Sequence, residues 1–115
     1  MIAAIFEAAP KTPKDRNTYL AIAGALADEL KVVDGFISIE RFESLVVEGK
    51  LLSLSFWRDE RALQAWRNQD RHRQAQDKGR KELFESYRIR IANVVRDYSA
   101  IEREQAPADS RARHG

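Results

Sequence analysis

The sequence predicts an α+β domain of the ferredoxin-like class, in which strands and helices follow one another as β-α-β-β-α-β. Two observations predict this class. Short apolar or alternating segments occur four times, and a helical segment follows the first and the third of them. With 115 residues, 43% of them hydrophobic and 33% charged, the chain suits one domain with a core. We expect a four-stranded antiparallel sheet with both helices on one face.

The first strand and the first helix follow from local patterns. Residues 2–8 are apolar on both alternating faces, which indicates a strand buried on both sides, and Pro10 ends it. Thr12 begins a helix as a capping residue, and Pro13 occupies the first helical position. An apolar stripe at helical spacing predicts that this helix packs on the sheet, and Gly35 ends it.

The other strands and the second helix complete the domain. Residues 36–45 and 51–57 alternate, and Gly49 between them indicates a hairpin. Asp59 can cap the second helix, and residues 87–98 form the last strand.

The composition separates a domain from a tail. We assign residues 1–98 to the folded domain and residues 99–115 to a C-terminal tail, which has few large apolar residues and is expected to be flexible.

Several functional classes lack support in the sequence. The chain has no Cys, so it has no disulfide, thiolate nucleophile or thiolate metal site. It has no bilayer-length apolar run and no signal-peptide pattern, which fits a cytoplasmic protein. A net charge of +2 with both signs interleaved indicates no nucleic-acid partner. No His or acidic set has the spacing of a metal site, so no metal is predicted.

The strand phases predict a homodimer. We expect the large aliphatic residues, such as Leu54, to face the helices. The opposite face would then mix aromatic, hydroxyl and charged side chains: Ser38, Glu40, Phe42, Ser53, Ser55, Trp57, Arg88 and Arg90. An exposed sheet face with such aromatic residues usually has a partner, and a second copy is the simplest one. Arg88 or Arg90 would then neutralise Glu40.

The second helix predicts a pocket. When residues 65–79 are wound as a helix, one side is small and polar, whereas a core helix would show Leu and Ile. Arg67 falls on the other, solvent side. A small polar side leaves room between helix and sheet for a ligand. The residues predicted to bind it are Trp66, Asn68, Gln69, Gln76, Phe84 and Tyr87.

His72 is the candidate catalytic residue, because an imidazole with a pKa near neutrality can act as a general base. It could instead ligate haem iron or form a structural hydrogen bond. Trp66 could stack on a planar ligand or simply pack in the core.

Several segments together resemble one known family. They are Asp34-Gly35-Phe36, the strand 52–57 with Arg58-Asp59-Glu60, Trp66, the run 72–76 with Gly79-Arg80, and the segments 87–89 and 96–98. Over residues 1–98 the chain resembles the antibiotic biosynthesis monooxygenase family of dimeric α/β-barrel proteins. This resemblance implies a homodimer with a pocket between sheet and helices in each subunit.

Two branches of that superfamily have recognisable residues. The haem-degrading branch resembles this chain at Trp66, but it has an Asn where this chain has Glu7 and a haem-ligating His where this chain has Gln76; His72 lies one turn earlier.

The quinone-forming branch, which needs no cofactor, resembles this chain at Trp57. It has an Asn at the position of Ser53 and a Tyr at that of Leu63.

The resemblance implies a monooxygenase that oxidises a small aromatic or phenolic, quinol-like metabolite with O₂ and without a bound metal or flavin. His72 would accept a proton, Trp66 and Phe84 would form a stacking wall, and Gln76 and Asn68 would donate hydrogen bonds. The alternatives are a non-catalytic homodimer that binds a metabolite, and a haem-binding or haem-degrading protein.

Overall fold

The predicted βαββαβ order is confirmed in the computed structural model, which describes residues 1–69, 73, 74, 77 and 82–115. The elements are β1 (Ile2–Pro10), α1 (Pro13–Ala25), α2 (Ala27–Lys31), β2 (Phe36–Glu43), β3 (Leu51–Trp57), α3 (Glu60–Arg67), β4 (Phe84–Asn93) and α4 (Ala108–His114). The strands form one antiparallel sheet in the order β2-β3-β1-β4. This is the ferredoxin-like architecture.

Some element boundaries differ from those predicted. The first helix is two helices, because the backbone turns at Leu26, whose N–H donates to the Ala23 carbonyl at 3.3 Å. This break lets both Leu26 and Leu30 reach the core, where each is buried. The last strand begins earlier than expected, at Phe84, and also ends earlier, at Asn93.

The face that β3 turns toward the helices is the opposite of the one predicted. Trp57 is 1% exposed and packs in the core with Leu30 and Trp66, so its assignment to a dimer interface is wrong. Ser53 and Ser55 lie on the same face as Trp57 and line the cavity, so their assignment to the dimer interface is also wrong. The prediction failed because both faces of β3 carry large apolar residues, so hydrophobicity alone does not identify the inner face.

The remaining predicted interface residues do lie on the outer sheet face, away from the helices. Antiparallel partners share a face, so the register places Ser38, Glu40 and Phe42 opposite Phe56, Leu54 and Leu52. Arg88 and Arg90 pair in the same way with Glu7 and Ile5 of β1. The outer face therefore has an apolar centre, made by Ile5, Leu52, Leu54 and Phe56, with charged residues around it.

A charge cluster occupies one part of this outer face. The Glu7 Oε2 atom lies 3.4 Å from both Lys50 Nζ and Arg90 Nη1. Arg90 therefore has a carboxylate partner within its own chain. The ion pair of Glu40 with Arg88 or Arg90 across the dimer stays a prediction.

The C-terminal segment contains a helix. Residues 99–115, expected to be a flexible tail, include α4, and Arg103 donates to the Ser110 hydroxyl at 2.6 Å. The flexibility of the segment stays a prediction. Among the described residues, no helix is both long and apolar enough to cross a bilayer, and a cytoplasmic location likewise stays a prediction.

Contacts between the turn before β2 and the residues after β3 determine where α3 begins. The Arg58 N–H donates to the Gly35 carbonyl at 2.7 Å, and the Arg58 guanidinium donates to both oxygens of Asp34 at 3.1 and 3.2 Å. These hydrogen bonds lower the pKa of Asp34. Asp59 caps α3 by accepting the Ala62 N–H at 2.9 Å, and this bond is the main cause of its own lowered pKa.

We expect Gly35→Ala to destabilise the protein more than Gly49→Ala. Both glycines have positive φ angles, of 89° and 78°, but only at Gly35 would a new Cβ meet a neighbour, 2.6 Å from the Ala62 Cβ. The left-handed backbone alone costs about 1–2 kcal/mol, and the clash should raise the loss at Gly35 to about 2–4 kcal/mol. Urea unfolding of both variants measures the difference. Equal losses would show that the contact with Ala62 carries no strain.

Candidate functional site

A cavity of about 360 Å³ lies between the helices and the inner face of the sheet. The described residues that line it come from all four strands, from α1, α2 and α3, and from the segment before β4. They are Ala4, Phe6, Tyr19, Ile22, Ala23, Leu26, Leu30, Ile39, Ser53, Ser55, Trp57, Leu63, Trp66, Arg67, Leu83, Phe84, Ile89 and Ile91. The lining is mostly apolar, as is usual for small-molecule sites.

Small residues on the two central strands form the floor of the cavity. Ala4 of β1 pairs with Ser55 of β3, and Ser53 follows two residues before it on the same face. The flanking strands contribute larger side chains, Ile39 next to Ser55 and Ile91 next to Ala4. The cavity therefore exists because the centre of the sheet does not fill the space beneath the helices.

Aromatic side chains close both ends of the cavity. At one end Trp57 and Trp66 belong to the larger core cluster, and Phe36 meets Trp57 edge-on with ring centroids 5.3 Å apart. At the other end the ring of Phe84 lies 5.6 Å from that of Phe6 and 5.2 Å from that of Tyr19, again edge-on. Such edge-to-face contacts stabilise the walls in a defined geometry.

The polar groups in the lining are few. The buried Trp57 indole N–H donates to the Ser55 hydroxyl at 2.9 Å, which satisfies a donor that would otherwise be isolated in the core. Ser53, Tyr19, Arg67 and the indole N–H of Trp66 are the other polar groups among the described lining residues. None of those lining residues is a carboxylate or a histidine.

The structure brings only part of the predicted substrate-binding set to the cavity. Trp66 and Phe84 line it. Tyr87 stands behind Phe84 and Phe6, with ring centroids 6.5 and 6.2 Å away, and does not line the cavity.

The predicted polar members of the set are placed differently. Asn68 and Gln69 are exposed and absent from the lining, and the Asn68 side-chain oxygen accepts a hydrogen bond from Arg73 at 2.6 Å. Asn68 follows α3 as its C-terminal cap, so it no longer presents the helical face assumed from the sequence. His72 and Gln76 lie outside the described residues.

Sequence reasoning missed all four lining residues that carry a hydroxyl or charged side chain among the described residues: Tyr19, Ser53, Ser55 and Arg67. Arg67 could have been found, since Leu63, Trp66 and Arg67 stand at positions i, i+3 and i+4 of α3 and therefore share its inner side. The two serines could have been found from the hairpin register, which pairs Phe42 with Leu52 and so turns Ser53 inward.

Neither the haem arrangement nor a metal site is supported by the described residues. Glu7, at the position of the first-strand Asn of the haem-degrading branch, lies on the outer sheet face with Lys50 and Arg90, away from the cavity. The described part of the chain also has no cluster of three or more His, Asp or Glu side chains that could hold a metal ion.

Comparison with known proteins gives a consistent family match. The family model for antibiotic biosynthesis monooxygenases matches residues 1–78. The jasmonate monooxygenase ABM of Pyricularia oryzae is 48% identical over 95 residues, which are 83% of this chain and 44% of that protein. The uncharacterized protein YqjZ of Bacillus subtilis is 34% identical over 62 residues, 54% of this chain and 53% of that protein. The matches thus span about half the length of both relatives.

The fold also matches a solved structure. The Rv0793 protein of Mycobacterium tuberculosis superposes with a TM-score of 0.74, covering 85% of this chain and 98% of that one. The two sequences are 20% identical, so this similarity concerns the fold alone.

We expect Ser55→Ala to destabilise the protein by about 1–3 kcal/mol, because it leaves the buried Trp57 N–H without its acceptor. Ser53→Ala is the matched control, because Ser53 lines the same cavity but makes no side-chain hydrogen bond within the described residues. The control should change the unfolding free energy by less than about 0.5 kcal/mol. Urea unfolding checks both variants, and equal losses would show that the indole hydrogen bond contributes nothing.

Proposed function

Because the chain belongs to the antibiotic biosynthesis monooxygenase family, we propose that it is a monooxygenase whose substrate binds in the cavity between sheet and helices. The observation that carries this proposal is the cavity itself, which is mostly apolar, has aromatic walls and contains a few polar groups. Its volume of about 360 Å³ suits a small metabolite with one or two rings.

The proposed chemistry uses electrons from the substrate alone. A base removes a proton from an activated CH₂ group, the carbanion passes an electron to O₂, and recombination of the two radicals gives a hydroperoxide. Loss of water then leaves a carbonyl group, so that CH₂ and O₂ become C=O and H₂O without an added reductant. An apolar site favours this route, because it keeps bulk water and stray protons away from the reactive intermediates.

We assign roles to residues as follows. Trp66 and Phe84 form the walls on which a planar substrate stacks. Ser53 and Tyr19 are the hydroxyl donors to substrate oxygens, in place of the exposed Asn68. His72 is the proposed base on the grounds of its sequence position, and Gln76 a further donor.

The substrate is proposed to be a small ring-bearing metabolite with an acidic C–H bond. Phenols and quinol-like compounds meet this description through their keto tautomers, which have a ring CH₂ next to a carbonyl group. Loss of the phenolic O–H proton gives the same anion, whose charge is shared with that ring carbon. Cyclic ketones meet it as well, and jasmonate, which is part of the name of the Pyricularia relative, is a ketone of this size.

We further propose that the protein is a homodimer formed through the outer sheet face. Ile5, Leu52, Leu54 and Phe56 make an apolar centre there, and each is only partly covered within one chain. A two-fold axis through this face would bury that centre and pair charged residues around it.

The catalytic proposal is tested by O₂ uptake with a panel of phenols, quinols and small cyclic ketones. We expect uptake with at least one class and product with one added oxygen atom, seen by mass spectrometry with ¹⁸O₂. His72→Ala should lower turnover about 100-fold or more, and His114→Ala, the only other histidine, should leave it unchanged. Tight binding without O₂ uptake would instead support a non-catalytic binding protein.

The dimer is tested by sedimentation velocity over a dilution series. Leu54→Asp places a charge at the centre of the outer face and should convert the dimer to monomer, because an unpaired charge between two sheets is costly. Val32→Asp is the control, since Val32 is 83% exposed and lies off the sheet. A wild-type monomer, or two variants that dimerise equally, would overturn the proposed interface.

A further inference from the structure

One cation lies among the mostly apolar cavity-lining residues that the structure describes. Arg67 is the last residue of α3 and shares the inner side of that helix with Leu63 and Trp66, both of which are buried. Arg67 itself is exposed, although it contributes to the cavity lining. An arginine can lay its aliphatic stem along apolar surface while its guanidinium stays near water. Arg67 therefore stands where the cavity meets solvent.

The Arg67 guanidinium forms no ion pair with the other described residues. Arg16, Arg58 and Arg90 each form an ion pair with a carboxylate, at 3.5, 3.1 and 3.4 Å. Arg67 has no ion pair within the described residues, and no carboxylate among them lines the cavity. Its position at the helix C-terminus is favourable for a cation but would be equally so on the outer side of α3.

We propose that Arg67 binds the carboxylate of the substrate, so that the substrate class is a small monocarboxylic acid with an apolar ring. This inference rests on the proposed function and narrows its substrate. A guanidinium holds a carboxylate through two parallel hydrogen bonds, which fixes orientation as well as adding affinity. The acid group then remains at the mouth of the cavity.

This arrangement also determines which end of the substrate reacts. With the carboxylate at Arg67, the ring extends inward over the floor made by Ala4, Ser53 and Ser55. The aromatic walls hold the ring in place, and the hydroxyl groups of Ser53 and Tyr19 are available to a ring oxygen. Arg67 is thus a residue that determines specificity, and it takes no part in proton or electron transfer.

Binding is tested with pairs of small ring-bearing acids and their methyl esters, jasmonate and methyl jasmonate among them. Trp57 and Trp66 both line the cavity, so quenching of indole fluorescence reports binding without any need for turnover. Wild-type protein should bind at least one acid more tightly than its ester. Arg67→Gln should weaken binding of that acid by on the order of 10- to 100-fold and leave ester binding unchanged.

Two further variants separate recognition from folding. Arg61→Gln removes a cation from the exposed part of α3, away from the cavity, and should preserve the preference for the acid. Arg67→Lys keeps the charge but loses the bidentate geometry, so it should retain part of the preference even where Arg67→Gln folds poorly. The proposal is overturned if the wild type binds no acid in preference to its ester, if Arg67→Gln keeps the full preference, or if Arg61→Gln loses as much.

The outcome is distinguishable from failure of the catalytic proposal. O₂ uptake with an ester, without any Arg67-dependent preference for the acid, would leave the monooxygenase standing and remove the carboxylate site. Arg67-dependent binding of the acid without O₂ uptake would leave the carboxylate site standing and remove the monooxygenase.

Discussion

The hydrogen bond between the Trp57 indole and the Ser55 hydroxyl supports much of the arrangement around it. Trp57 is among the most buried side chains in the described part of the chain, and a buried indole N–H needs an acceptor. A serine two residues earlier on the same strand supplies that acceptor at 2.9 Å. With its polar atom satisfied, the ring can pack against Phe36 and close one end of the cavity. The same cluster includes Leu30 of α2 and Leu63 of α3, so it joins the helices to the sheet.

One strand serves two surfaces of different character. On the inner face of β3 two small serines, Ser53 and Ser55, stand between Leu51 and Trp57, and they leave space beneath the helices. Its outer face carries Leu52, Leu54 and Phe56, which is the composition of a surface that packs on another protein surface. Since side chains alternate strictly along a strand, a register shift of one residue would place the apolar outer residues in the cavity and abolish it. The β2–β3 hairpin, whose pairing is regular from Ser38 to Glu43, opposes such a shift.

The architecture could be predicted from the sequence, but the direction of β3 could not be predicted from hydrophobicity. The fold rests on repeated local patterns, such as the Thr12 cap and the Asp59 cap, and both form as expected. The register also agrees with the predicted faces of Ile39 in β2 and of Arg88 and Arg90 in β4. β3 has large apolar side chains on both faces, so only its pairing with β2 distinguishes them.

The candidate site was harder to predict for a related reason. A pocket was expected from small residues on the second helix, whereas the space described comes from small residues on the sheet. Trp66 and Phe84 were identified because large aromatic residues at helical or strand spacing must pack inward. The sequence predicts Arg67 on the solvent side, because a charged residue usually marks the outer side of a helix. Arg67 is exposed, which satisfies that rule, while its place beside Leu63 and Trp66 brings it to the cavity.

The cavity floor is formed by small residues on the central strands, and this affects how selectivity for ligand size could evolve. Ala4 and Ser53 stand on the two central strands, which are hydrogen-bonded on both sides and are the part of a sheet least able to shift. A larger side chain at either position would reduce the cavity volume, because the strand backbone cannot move away to make room for it. Enlarging or reducing what the cavity accepts therefore needs only single substitutions at these positions, while the helices and the aromatic walls stay as they are. Members of such a family could diverge in ligand size in this way without any change in architecture.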